Sequence, residues 1–96
     1  MNIQVLTSGA VSAGDIELAR EMLMDVMSEL GEPEPTARLT LSLLADPAPP
    51  RPALAQVVIA QGLRVVRAQA AGTTPEEALY LLRERMGFRL GHARAG

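Results

Sequence analysis

Six side chains have the chemistry to meet an anionic partner: Arg83, Arg85, Arg89, His92 and Arg94 near the end of the chain, and Arg20 far upstream. A guanidinium is permanently charged, and its planar fork of donors matches phosphate oxygens, so RNA backbone is the obvious target. A second explanation needs no ligand, because cations near a helix C-terminus interact favourably with the helix dipole. Both readings stay open on the residues alone. His92 is the only histidine, and the chain has no cysteine. With no second ligand and no nearby acid to orient it, His92 suits neither a metal site nor acid–base catalysis. Glu17, Glu21, Asp25 and Glu29 form an i, i+4 ladder. A divalent cation needs more oxygen ligands than such a ladder converges, so a solvated face that repels phosphate is expected. Neither the dinucleotide nor the triphosphate glycine spacing occurs, and no nucleophile–base pair is evident. The expectation is a protein that is not an enzyme and uses no cofactor and no metal.

The distribution of charge says more than its total of -2. Residues 1–50 hold eight acids and two arginines, net -6, whereas residues 51–96 hold three acids and seven arginines, net +4. The length suits one domain, 1–96. With no Trp, one Phe and one Tyr, the core must come from Leu, Val, Ile, Ala and Met. Aromatic side chains for base stacking are missing, so contacts to phosphate and backbone shape are the expected mode of RNA binding. No apolar run reaches the roughly 18–20 residues of a membrane span. The N-terminus "MNIQVLTSG" lacks the pattern of a signal peptide, so a cytoplasmic location without membrane association is expected.

Six elements must position these residues. "NIQVLT" alternates as a strand, with Ile3 and Val5 on one side. From Asp15 to Leu30 the period becomes helical, with Ser12 as N-cap, a stripe of Ile16, Ala19, Leu23, Val26, Met27 and Leu30, and Gly31 as C-cap. Met22, Met24 and Met27 are expected in the core or at its margin. "TARLTLSLL" is a half-buried strand, and 46–52 is a Pro-rich flexible loop. "ALAQVVIAQGLRVVRAQA" forms a hairpin. A turn at Gln61-Gly62 would set Val57 opposite Val66 and Ala55 opposite Ala68. Its other face would carry Leu54, Val58 and Val65, with Leu44 and Leu63 nearby, an apolar patch suited to self-association. Thr74, Pro75 and Glu77 open the second helix as a capped start. Its stripe is Ala78, Leu79, Leu82, Met86 and Leu90, and its end is frayed over 91–96. The fold class is therefore α+β in the order β-α-β-β-β-α: a four-stranded mixed sheet, its first two strands parallel, with two helices on one face.

The pattern around "NIQVLTSGAVS", the Leu-rich second strand and "GLRVVRAQAAGTTPEEALYLLRERM" resembles the N-terminal domain of ribosome hibernation promoting factors and ribosome-associated inhibitors, most of all in their actinobacterial branch. The resemblance covers nearly the whole chain, although the individual motifs are short. It implies a double-stranded-RNA-binding-like fold and a site on the small ribosomal subunit, in the channel where tRNA and mRNA bind. It also implies rRNA as the ligand, inhibition of translation in stress or dormancy, and contacts through Arg83, Arg85 and Arg89 of the second helix. The first helix departs from the family pattern, offering Arg20 against four acids. "GTTPEEAL" also resembles a segment of HicB-type antitoxins. An alternative reading is thus a protein-interaction or self-associating module without RNA binding.

Overall fold

The structure, a computed structural model, describes residues 2–45, 50 and 52–95, with side chains through residue 90. Its elements are β1 (Asn2–Ser8), α1 (Ala13–Ser28), β2 (Thr36–Leu43), β3 (Ala53–Gln61), β4 (Arg64–Gly72) and α2 (Pro75–Ala95). The sheet runs β1-β2-β3-β4. β1 pairs parallel with β2, as a strand–helix–strand crossover demands, and the remaining pairs are antiparallel. The expected fold class is the observed one. The expected flexible loop of 46–52 lies mostly outside the described residues; its base is closed by the Leu44 N–H, which donates to the Pro52 carbonyl at 2.9 Å.

The core is aliphatic, as the composition requires. Leu39 and Leu41 of β2, Leu23 and Met27 of α1, and Leu79, Leu82 and Met86 of α2 are buried together. Every residue of the expected α2 stripe is buried. Ala53, Ala55, Ala68 and Ala70 form a low patch on the inner face of β3 and β4. Such small side chains let α2 lie close over these strands, and α2 packs on β4 and β3 while α1 packs on β1. Met24 departs from expectation: it sits half exposed, one position round the helix from the stripe that holds Leu23 and Met27.

The β3–β4 hairpin turns at Gly62-Leu63, not at Gln61-Gly62. Gln61 pairs with Arg64, and Val57 meets Ala68 instead of Val66, a register two residues from the expected one. The slip is an even number, so every side chain keeps its face. Gly62 has φ +62°, and among the described residues no non-glycine residue has positive φ. A glycine at the first central position followed by an ordinary residue is the arrangement of a type II′ turn. This register frees the Gln61 side chain for another task. Its Nε2 donates to the carbonyls of Leu30 and Pro33 at 2.9 Å and of Gly31 at 3.1 Å, while its Oε1 accepts from Arg64 Nη2 at 3.1 Å. One amide thereby ties the exit of α1 to the hairpin. Replacing it, Gln61→Leu, should cost about 1–2 kcal/mol through the lost hydrogen bonds. Urea unfolding with an unchanged midpoint would contradict that role.

Both helix starts are capped as expected. The Asp15 N–H donates to Ser12 Oγ at 3.1 Å, and the Glu77 N–H donates to Thr74 Oγ1 at 3.1 Å. The Glu77 carboxylate reaches back one residue beyond the usual capping box, accepting from the Thr73 N–H at 2.9 Å. Thr74→Ala should therefore cost about 1 kcal/mol, and an unaltered melting temperature would refute the cap. At its other end α1 closes on Glu29 as C-cap, with Gly31 left-handed two residues later.

Candidate nucleic-acid interface

Among the described residues no acid falls in a strand, whereas Arg38, Arg64 and Arg67 do. Strand alternation turns Arg38 and Arg67 to the outer sheet face, away from the helices. They lie in the cross-strand row Gln4, Arg38, Val58, Arg67. Arg38 Nε donates to Gln4 Oε1 at 3.1 Å, and in the next row Gln56 Nε2 donates to Gln69 Oε1 at 3.2 Å. The charge on the outer face is therefore positive, with no carboxylate on any of its strands, and it is interspersed with exposed apolar side chains, Leu6 and Val65.

Arginines of α2 join this face around the free edge of β4. Arg85 and Arg89 are four residues apart and share one side of the helix. Together with Arg67, Glu84, Val65 and Phe88 they line an open groove of about 770 Å³ between β4 and α2. Arg85 Nη1 donates to the Gln69 carbonyl at 2.6 Å. That bond anchors the guanidinium against the strand edge and blunts the edge against strand addition. Arg67 and Arg89 also line a smaller depression, about 360 Å³, beside Gln56, Val58 and Gln69. Four arginines, Arg38, Arg67, Arg85 and Arg89, thus follow one path from the sheet onto the helix, with Glu84 as the carboxylate among the lining residues. A run of like charges along a groove raises the local concentration of a polyanion.

Arg83 does not belong to this path. Two residues from Arg85, it is turned about 200° around the helix. It lines the cleft between α1 and α2 with Asp25, Val26, Glu29 and Leu30. The acid ladder reaches this cleft because each i, i+4 step advances about 40° around a helix. All four acids are exposed, and Asp25 and Glu29 come round to the side facing α2. The arginines of α2 are thus divided about its apolar stripe: Arg83 lies in the cleft with Asp25 and Glu29, while Arg85 and Arg89 lie in the groove with Arg67. Arg20 is exposed on α1. The side chains of His92 and Arg94 lie outside the described residues. Among the described residues, no three His, Cys, Asp or Glu side chains come together as a metal would require, and no helix is long and apolar enough to cross a membrane.

Three residues along the arginine path and its groove escape a reading of the sequence. Arg67 looks like the polar neighbour of Val66 and Ala68, and Arg38 like that of Leu39. Listing acids by element would have found both, since the strands carry arginine and no carboxylate. Phe88 is the third. Sequence composition points away from aromatic contacts, yet Phe88 stands 70% exposed among the arginines.

The chain matches no family model, and no curated protein matches it. Solved structures do match in shape. The N-terminal domain of Protein Y from Thermus thermophilus superposes with a TM-score of 0.71 at 18% identity, covering 90% of this chain and 91% of that one. A ribosomal subunit interface protein from Coxiella burnetii gives a TM-score of 0.76 at 17% identity, over 100% of both chains. The fold is that of these ribosomal subunit interface and Protein Y domains, at the level of architecture that such identities carry.

Proposed function

We propose that the protein binds the small ribosomal subunit through ribosomal RNA, using the arginine path from β4 to α2, and that it restrains translation in the cytoplasm under stress without catalysing a reaction. One observation carries this reading: Arg67, Arg85 and Arg89 line one groove on a fold shared with a ribosomal subunit interface protein. Phosphate neutralisation by arginine releases condensed counterions, so such binding must weaken steeply with salt. Sedimentation of the protein with purified small and large subunits at low and high salt tests the proposal. Co-migration with the small subunit at low salt that fades as salt rises is expected. Failure to co-migrate with the small subunit even at low salt would sink it.

Self-association is a second reading, favoured by exposed apolar side chains on and beside the outer sheet face: Leu44, Leu63 and Val65. Light scattering across a concentration series separates the two. A mass that stays at 10.2 kDa would remove this reading and leave RNA binding standing.

A further inference from the structure

The groove between β4 and α2 has the composition of a site for an unpaired nucleotide. We infer that it takes a single-stranded RNA segment, with a base stacked on Phe88 and the flanking phosphates held by Arg67, Arg85 and Arg89. This rests on the RNA-binding reading above and specifies which form of RNA the site takes.

Three observations converge on it. First, the apolar part of the groove is exposed: Phe88 is 70% and Val65 52% accessible. The other aromatic, Tyr80, lies in the cleft beside Leu18, Met22 and Arg83, so Phe88 is the ring that stands on the basic side. Second, the cations surround that ring. A base has an apolar face and an anionic backbone, and an aromatic platform rimmed by arginines complements both. A duplex hides its base faces inside the stack and would meet only the arginines. Third, the groove is oriented. The Arg85 guanidinium is fixed by its bond to the Gln69 carbonyl. Glu84, the carboxylate of the groove, repels phosphate and accepts hydrogen bonds from exocyclic amino groups of a base. Phosphates are thereby directed to the three arginines, and the base edge to Glu84. The groove volume, about 770 Å³, falls in the range of about 300–1,000 Å³ typical of small-ligand clefts.

Fluorescence anisotropy with labelled RNA tests the inference on the full chain at low salt. The probes are a nine-nucleotide single strand, the same strand with abasic sites, and a duplex of that length. Sedimentation with small subunits runs in parallel. The single strand should bind more tightly than the abasic strand or the duplex. Phe88→Leu should lose about fivefold to 100-fold on the single strand, the size of one stacked base, and nothing on the duplex. Phe88→Tyr should restore binding. Equal affinity of Phe88→Leu and the parent for the single strand, or no preference for it over the abasic strand, would overturn the inference. If small-subunit binding persists in that case, the proposed function stands without it. Loss of binding to both RNA and subunits would overturn the two together.

Discussion

Gly9→Ala should be the most damaging single-methyl change in the chain, costing about 3 kcal/mol or more. Two independent penalties meet at this position. Gly9 has φ +85°, a left-handed conformation that costs an ordinary residue about 1–2 kcal/mol. A Cβ there would also be driven into the Leu43 carbonyl oxygen, and forcing atoms into a packed site costs about 1–3 kcal/mol more. The obstacle is backbone, held in place because β1 and β2 pair in parallel up to Ser8 and Ser42. It cannot rotate away as a side chain would. For a domain of this size the melting temperature should fall by roughly 12–24 °C, at about 4–8 °C per kcal/mol. Gly31→Ala separates the two penalties. Gly31 is also left-handed, at φ +70°, but a Cβ there meets nothing within 4 Å. It should show the conformational penalty alone, about 1–2 kcal/mol. Equal losses at the two glycines would show that the close approach to Leu43 contributes nothing.

Arg85→Ala with Arg89→Ala should weaken binding to the small subunit about tenfold to 100-fold, at about 1.5–3 kcal/mol for a hydrogen bond to a charged group, with part of that regained from water. The salt slope should fall by about 0.7–0.9 for each phosphate contact removed. Arg83→Ala should leave both quantities close to their starting values, because its groove partners are Asp25 and Glu29 and a phosphate entering that cleft would meet two carboxylates. Subunit-binding titrations at several salt concentrations read both effects. If Arg83→Ala weakens binding as much as the pair does, the division of α2 into a basic and an acidic side is wrong.

Much of this architecture is legible in the sequence, and the reasons differ by element. The α2 stripe follows from helical period alone, since Ala78, Leu79, Leu82, Met86 and Leu90 leave one choice of buried face. The caps follow from local chemistry at Ser12 and Thr74. Strand parity survives the shifted hairpin turn because a slip of two residues preserves faces and changes only the cross-strand partners. The candidate interface is harder to read for a physical reason. Helical spacing separates Arg83 from Arg85, yet it does not say which of them faces α1 and which faces β4. That is settled by the low patch of Ala53, Ala55, Ala68 and Ala70, over which α2 settles. Arg67 becomes a neighbour of Arg89 only once α2 lies along the β4 edge. Gln61 is equally non-local, since its amide reaches three carbonyls about thirty residues away.

In the proposed function the β4–α2 side should meet RNA and the outer side of α1 should not. Photo-crosslinking on the small subunit reads this directly, with the reactive group installed at Val65 in one variant and at Glu21 in another. Both positions are exposed, so neither substitution disturbs the core. Adducts to ribosomal RNA from position 65, and none from position 21, are the expected result. Adducts from position 21, or none from position 65, would rule out the β4–α2 side as the RNA-facing side.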